Sequence, residues 1–168
     1  MDNLFAGNYL KEAQQVIERL DVTQIEKMTE LLVNLRNQKG RLFFGGVGGG
    51  AGHASHAVKD FRKIAGSESY SPADNVSELT ARTNDEGWET TYAGWLKVSN
   101  LNAKDMLFVF SVGGGDAERN ISANIVNALK LAKETGCKII GVVGRDGGYT
   151  AKVADACVIV PTINKDYI

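Results

Sequence analysis

Two histidines and a carboxylate follow the first glycine-rich segment of the sequence. His53, His56 and Asp60 are spaced i, i+3 and i+7, so on a helix all three project from one face near its start. Imidazole and carboxylate groups at this spacing can hold a zinc ion, or act as an acid and base pair at a sugar carbonyl. A solvated helix face explains the same pattern, and both interpretations stay open.

Two matching glycine turns form the most informative motif. Val47–Gly50 and Val112–Gly115 both read Val-Gly-Gly-Gly, and each follows an apolar run and precedes a helical segment. Glycine allows positive φ and lets backbone N–H groups approach a ligand at the positive end of a helix. We therefore expect an anion or a polar sugar at these turns, with plain tight turns as the alternative. Gly46–Ala51 also fits G-x-G-x-x-A, but this pattern is weak by itself and no nucleotide cofactor is expected.

Other polar and aromatic residues flank the predicted site. Asp74–Ser77 and Thr83–Asp85 border a short helical segment, where helix caps explain them as well as ligand contacts do. Trp88, Tyr92 and Trp95 lie at i, i+4 and i+7, which indicates a core or subunit-interface stripe.

The turns need a scaffold that brings them together. From Arg41 onward short apolar runs alternate with helical segments, which predicts a doubly wound parallel sheet with helices on both faces. In such sheets ligands bind beyond the carboxyl ends of the strands. The predicted strands are Leu42–Gly46, Ser67–Ser71, Met106–Ser111, Lys138–Val143 and Cys157–Pro161, and the predicted helices are Gly52–Ala65, Val76–Arg82, Trp88–Val98 and Ala117–Thr135.

Two helices are predicted in the first 40 residues, from apolar residues repeated at helical spacing. Thr23–Glu26 has the capping-box pattern that would start the second helix, and Gly40 would end it in a left-handed conformation. These two helices carry more apolar residues than a short N-terminal arm would need, so we expect them to pack against another subunit.

The composition is that of an ordinary globular domain. The chain has 168 residues, 43% of them hydrophobic and 23% charged, and 19 Lys+Arg against 20 Asp+Glu give a net charge of -1. This balance argues against nucleic acid or a membrane surface as a partner held by bulk charge. We expect one domain over 1–168, with a helical pair at 1–40 and an α/β core at 41–168. Lack of a leader or a spanning apolar run predicts a cytoplasmic location.

Together these motifs resemble the phosphoheptose isomerase branch of the sugar isomerase (SIS) family, from about Arg41 to Pro161 and, by type, in the N-terminal helices. The family's Gly-Asn-Gly-Gly-Ser turn matches Gly46–Gly50, and its phosphate loop, Ser-Thr-Ser-Gly-Asn-Ser, falls on Ser111–Asp116. The other matching positions are His56 with Asp60, Asp74–Ser77, Asn84–Asp85 and Gly144–Gly148.

The resemblance implies a five-stranded SIS domain in a homotetramer with sites at subunit interfaces. It implies conversion of a ketoheptose phosphate to an aldose phosphate by proton transfer through an enediol. Asp60 would be the catalytic base and a zinc ligand, and His56 a zinc ligand that takes part in catalysis. The implied substrate-binding residues are Gly48, Gly49, Gly50, Asn84, Asp85, Ser111, Val112, Gly113 and Asp116.

The phosphate loop departs from the family pattern. Val112, Gly113 and Asp116 stand where the family has hydroxyl residues, so Ser111 is the one that keeps its hydroxyl. Each charge-assisted bond to phosphate is worth about 1.5–3 kcal/mol. The Asp116 carboxylate, unless it caps the following helix, is expected to compete with phosphate for the same N–H groups.

Two further readings follow from these departures. One is a non-catalytic SIS module that binds a sugar derivative or pairs with an active paralogue. The other is an isomerase of an unphosphorylated sugar, for which Asp116 would be attractive. The family also continues past the position of Ile168 into a helix with a further ligand and a catalytic His. We therefore expect either omitted residues or cover from a partner.

Overall fold

The computed structural model describes residues 5–164, which form one parallel sheet with helices on both faces. The strands are β1 (Leu42–Gly46), β2 (Ser69–Tyr70), β3 (Met106–Ser111), β4 (Lys138–Val143) and β5 (Ala156–Ile159). The helices are α1 (Phe5–Glu18), α2 (Val22–Asn37), α3 (Gly49–Lys63), α4 (Val76–Glu86), α5 (Thr91–Val98), α6 (Ala123–Thr135) and α7 (Gly148–Val153), with a 3-10 helix at Trp88–Thr90. The five strands run in the order β2-β1-β3-β4-β5 and every pair is parallel.

Neighbouring side chains of each strand pack on opposite faces of the sheet. Phe43 belongs to the core under α5 and α6, together with Leu96. Phe44 joins the core under α2 and α3, with Met28 and Ala54. Burying one such aromatic side chain contributes about 1.5–3 kcal/mol. The two cores confirm the predicted doubly wound fold with helices on both faces.

The central strands coincide with their predicted ranges, because apolar runs buried on both faces mark β1, β3 and β4 clearly. The uncertain edge strand predicted at Ser67–Ser71 is confirmed as β2, which spans two residues. The last strand, β5, begins and ends earlier than the predicted Cys157–Pro161.

The helix predicted from Ala117 begins only at Ala123, so that boundary was wrong. Residues 112–122 form a loop in which Asp116 and Ile121 pair through an isolated antiparallel bridge. The Asp116 carboxylate accepts bonds from the N–H groups of Glu118 and Arg119, both at 2.9 Å. These bonds close a turn at 117–120 instead of starting the helix.

Both predicted ends of α2 are also corrected. Asp21 caps the helix, since its Oδ1 accepts from the N–H groups of Thr23 and Gln24 at 2.9 and 3.2 Å. This carboxylate takes the place of the predicted capping box at Thr23–Glu26. At the other end Lys39, with φ 55°, adopts the left-handed conformation predicted for Gly40. Gly40 is still needed, because a Cβ there would lie 2.0 Å from the Lys104 carbonyl oxygen.

A buried ion pair closes the amino-terminal end of the sheet. The Asp105 side chain is 2% exposed and binds the Arg41 guanidinium through two oxygens, at 3.0 and 2.7 Å. The backbone N–H of Asn102 donates to the same carboxylate at 3.0 Å. The pair joins the start of β1 to the start of β3, on the edge opposite the glycine turns.

Helix α1 lies across the carboxyl edge of the sheet and leaves most of its side chains exposed. Leu10 and Ile17 are 64% and 69% exposed. Packing of this helix against another subunit stays a prediction. Across residues 5–164 no helix combines the length and apolar character needed to cross a membrane.

Candidate functional site

A cavity of about 740 Å³ opens at the carboxyl ends of the strands, between the glycine turns and α1. It lies beside the boundary between β1 and β3, where the chain connections leave for opposite sides of the sheet, the usual ligand position in such folds. Most of its lining is apolar, with a few polar groups, as in many small-molecule sites. The lining includes Glu12, Val16, Val47, Gly49, Gly50, His53, Phe110, Ser111, Val112, Gly144 and Arg145.

The first glycine turn is held tightly against the next strand. Gly48 has φ 57° and stands at the N-terminus of α3. A Cβ on Gly50 would lie 2.5 Å from the Phe110 carbonyl oxygen, so the turn can approach β3 only without a side chain there. The buried Tyr92 hydroxyl donates to the Gly46 carbonyl at 2.5 Å. Tyr92 was predicted to be a core or interface residue, and it also fixes the end of β1.

The second glycine turn is held by the start of α7. The Gly114 carbonyl accepts from the Thr150 N–H at 2.9 Å and from the Thr150 hydroxyl at 2.7 Å. The Gly115 carbonyl accepts from the Tyr149 N–H at 2.7 Å. The Ser111 hydroxyl oxygen accepts from the Gly114 N–H at 3.0 Å. The turn is therefore built into the fold, and Ser111 shapes it as well as lining the cavity.

Asp116 is turned toward its own loop. Its pKa lies below the ordinary value, chiefly because of the bond from the Arg119 N–H, and burial acts in the opposite direction. The carboxylate is thus occupied by the N–H groups of Glu118 and Arg119. The predicted competition between Asp116 and a phosphate for the N–H groups of the glycine turn is not part of this arrangement.

Arg145, which belongs to the matching segment Gly144–Gly148 but not to the predicted substrate-binding residues, adds a positive charge to the cavity. It follows β4, has φ 53°, and its guanidinium lies 3.4 Å from the place a Cβ would occupy on Gly113. Within residues 5–164 no carboxylate forms an ion pair with it. Arg145 is a non-glycine residue with a left-handed backbone, and it lies beside a candidate anion site. This conformation indicates a functional role, and it can be seen only in the structure.

The histidines and Asp60 divide between two places on α3. His53 lines the cavity, with its ring 6.1 Å from that of Phe110. His56 and Asp60 lie further along the helix, outside the cavity lining, where His56 Nε2 is 3.0 Å from Asp60 Oδ2. Lys59 also contacts Asp60, and this contact is the main reason why the pKa of Asp60 lies below its usual value. The predicted pairing of His56 with Asp60 on one helix face is therefore present.

The described residues do not complete a zinc site. His56 and Asp60 supply two candidate ligands, whereas zinc sites usually have three or four protein ligands. No cluster of three or more His, Cys, Asp or Glu side chains suited to a metal occurs within residues 5–164.

The remaining predicted site residues, Asn84 and Asp85, lie near the end of α4 and bond to each other at 2.7 Å. Neither they nor Gly48, Gly113 and Asp116 belong to the cavity lining, whereas Gly49, Gly50, Ser111 and Val112 do. Glu12, which no residue pattern predicted as a site residue, also lines the cavity from α1. Its signal was weak, because a single acid beside an apolar stripe is common on helices.

Comparison with known proteins agrees with this architecture. The family model described as SIS domain matches residues 8–144. A probable phosphoheptose isomerase of Thermoplasma volcanium is 30% identical over 159 residues, covering 92% of this chain and 78% of that protein. A phosphoheptose isomerase of Aliarcobacter butzleri is 28% identical, over 96% of this chain and 86% of that protein.

Solved structures give the same result. The phosphoheptose isomerase GmhA from Neisseria gonorrhoeae superposes with a TM-score of 0.78 at 25% identity, over 94% of this chain and 83% of that chain. A phosphoheptose isomerase from Francisella tularensis has the same fold, with a TM-score of 0.81 at 20% identity, over 95% of this chain and 83% of that chain. The chain belongs to the SIS domain family and is similar to its phosphoheptose isomerases.

Proposed function

We propose that this protein is a sugar-phosphate isomerase that interconverts an aldose and a ketose by proton transfer through an enediol. The observation that carries the proposal is the cavity at the ends of β1, β3 and β4, where two glycine turns meet the guanidinium of Arg145, which forms no ion pair with a carboxylate of residues 5–164. The relatives named phosphoheptose isomerase support a ketoheptose phosphate as substrate.

Phosphate binds at the glycine turns. The N-terminus of the 15-residue helix α3 carries partial positive charge toward this side of the cavity. Arg145 supplies a full charge beside Gly113, and Ser111 retains one hydroxyl. An arginine bond to phosphate is worth about 1.5–3 kcal/mol, comparable to one of the family bonds lost at Val112 and Gly113.

Catalysis moves one proton between adjacent carbons of the open-chain sugar. A carboxylate removes the proton from the carbon next to the carbonyl, giving the enediol, and the proton returns to the former carbonyl carbon. We assign Asp60 as the base and His56 as its partner. A pKa held low by Lys59 makes Asp60 a weak base in the single chain, so the assignment requires a neighbour that withdraws Lys59 or buries the carboxylate. A homotetramer with sites between subunits would supply that neighbour.

Zinc enters this proposal only as a group that His56 and Asp60 could help to hold. When bound it would polarise the sugar carbonyl. The two side chains form an incomplete set, so no step is assigned to the metal. A cytoplasmic location also stays a prediction.

Turnover of sedoheptulose 7-phosphate tests the proposal directly. The protein is incubated with this ketose phosphate, with and without zinc, and aldose phosphate is measured. Arg145→Asn removes the charge but tolerates positive φ, so it is expected to raise KM about tenfold while the fold remains intact. Asp60→Asn is expected to abolish turnover and leave phosphate affinity unchanged. Absence of product from the wild-type protein would refute the enzymatic proposal.

A non-catalytic SIS module that binds a sugar derivative, alone or with an active paralogue, is the second candidate. It is favoured by the position of His56 and Asp60 outside the cavity lining and by the low pKa of Asp60. This candidate predicts ligand binding without turnover in both the wild type and Asp60→Asn. An isomerase of a neutral substrate would instead bind and convert the unphosphorylated sugar, and it would not bind inorganic phosphate.

A further inference from the structure

The imidazole of His53 lines the cavity without being used in the mechanism proposed above. His53 follows Gly50 by three residues near the start of α3, and it is exposed. Its ring packs edge-on against that of Phe110, with 6.1 Å between the centroids and 64° between the planes. Within residues 5–164 no hydrogen bond or ion pair engages its ring nitrogens. The ring is thus held at the end of β3 with both nitrogens available to a ligand.

His53 and Arg145 border the same loop from two different elements. His53 contacts Phe110, and the Arg145 guanidinium lies beside Gly113. Phe110 and Gly113 are three residues apart, so at most about 11 Å separates their Cα atoms. Both long side chains also line one cavity. A tetrahedral anion at the loop after β3 can therefore contact the two side chains together.

The charges around the cavity favour an anion between these two groups. In the described part of the chain, the ionisable side chains of the lining are Tyr9 and Glu12 from α1, His53 from α3 and Arg145 after β4. The Glu12 carboxylate accepts from Asn164 at 3.2 Å and forms no ion pair with His53 or Arg145. Histidine is also the side chain whose charge changes most readily between pH 5 and 8. An anionic ligand therefore gains one permanent and one titratable cationic contact.

We propose that His53 is a phosphate-binding residue, whose protonated ring donates a charge-assisted hydrogen bond to the anion that Arg145 also holds. The identity of the anion as a phosphate ester rests on the proposed function, whereas the contact itself does not depend on catalysis. Such a bond is comparable to those that the loop lost with the family hydroxyls at Val112 and Gly113. Affinity for the anion then rises as the pH falls.

The second histidine of the chain differs in every respect that the proposal uses. The His56 side chain is 70% exposed, its Nε2 is 3.0 Å from Asp60 Oδ2, and it is outside the cavity lining. A contribution of histidine to anion binding in the cavity is therefore expected from His53 alone.

Binding of inorganic sulfate at pH 6 and pH 8 tests the contact, because sulfate is a tetrahedral dianion that does not titrate in this range. Calorimetric titrations compare the wild type with His53→Gln, which removes the charge, and His53→Lys, which is charged at both pH values. Lys63→Gln is the matched control, since Lys63 is an exposed cation in the last turn of the same helix and does not line the cavity.

We expect the wild type and Lys63→Gln to bind sulfate about fivefold or more tightly at pH 6 than at pH 8. His53→Gln should bind weakly at both pH values, and His53→Lys should bind tightly at both. Equal affinity of the wild type at the two pH values would overturn the proposal. A pH dependence that persists in His53→Gln, or that is lost in Lys63→Gln, would also overturn it, because the effect would then arise outside the cavity.

Sugar ligands separate contact with the anion from packing. At pH 6 His53→Gln should weaken binding of sedoheptulose 7-phosphate by a similar factor and change the Kd for sedoheptulose by less than about twofold. An equal loss for both sugars would show that His53 only shapes the cavity, which refutes the proposal.

This proposal and the proposed function fail in different ways. Wild-type protein that binds sulfate in the expected pH-dependent manner but does not convert sedoheptulose 7-phosphate refutes the enzymatic function and supports the His53 contact. Turnover with an affinity that His53→Gln leaves unchanged refutes the contact alone. Wild-type protein that binds neither sulfate nor the sugar phosphate refutes both.

Discussion

Replacing Tyr92 by phenylalanine tests how the end of β1 and the first glycine turn are held. Tyr92 is 2% exposed, and its hydroxyl is the donor to the Gly46 carbonyl. Phenylalanine keeps the ring in the core and removes only this donor. Loss of one partner from a buried hydrogen bond costs about 1–3 kcal/mol. Tyr92→Phe is therefore expected to lower the free energy of unfolding by this amount at pH 8.

The difference between the two proteins should also depend on pH. Burial, and to a lesser extent the charge of Asp74, raises the pKa of Tyr92 from 10.0 to about 12 in the folded state. The unfolded chain therefore loses the phenolic proton first as the pH rises. The stabilisation is complete below pH 10.0 and is lost as the pH approaches 12. The corresponding free energy is about 2–3 kcal/mol, so the advantage of the wild type shrinks across this window.

Urea denaturation followed by circular dichroism at pH 8, 10 and 11 measures both effects. Tyr70→Phe is the control, because the Tyr70 hydroxyl donates to Glu68 on the exposed surface at 3.0 Å. Its effect at pH 8 should stay within about 0.5 kcal/mol. The cysteines also titrate in alkaline solution, but they are common to all three proteins. Equal stability of Tyr92→Phe and the wild type at pH 8, or a difference that stays constant to pH 11, would refute the reasoning.

Three further substitutions concern the supports of the site and of the sheet. Gly114→Ala should destabilise the protein by about 2 kcal/mol or more and weaken phosphate binding, because Gly114 has φ 69° and an added Cβ would lie 1.9 Å from the Gly147 carbonyl oxygen. Gly52→Ala, in an open helical position of α3, should instead stabilise it by about 0.5–1 kcal/mol, and the opposite order in thermal melts would contradict this geometry. Asp105→Asn should cost about 3–5 kcal/mol in urea denaturation, because it leaves the Arg41 guanidinium without its charged partner, and a loss below about 1 kcal/mol would show that the pair is dispensable.

The sequence predicts best those strands that are buried on both faces of the sheet. Strands β1, β3 and β4 are covered on both faces, so their apolar runs mark them residue by residue. The edge strand β2 has two residues and gives only a weak pattern. The start of α6 was misplaced because Asp116 bonds to N–H groups of its own loop, a choice that apolar spacing does not encode.

The sequence predicts the glycine turns that border the candidate cavity, but it does not predict all of the residues that line it. Both glycine turns are visible in the sequence as Val-Gly-Gly-Gly after an apolar run, and Gly49, Gly50 and Ser111 do line the cavity. Glu12 was not predicted, and Arg145 was named only within the matching segment Gly144–Gly148, without a role of its own. Glu12 arrives from α1 through tertiary packing, whereas the role of Arg145 depends on its positive φ beside Gly113.

The bonds between the second glycine turn and α7 also decide how this loop could be redesigned. Positions 114 and 115 are closed to side chains, since an added Cβ would meet the Gly147 carbonyl or the Val126 side chain. Val112 is 71% exposed, and a Cβ on Gly113 would meet only the mobile end of the Arg145 side chain. A hydroxyl-rich loop could therefore be introduced as Val112→Thr and Gly113→Ser without rebuilding its neighbours. Transplanting a whole loop from a relative would require the first turn of α7 to be exchanged with it.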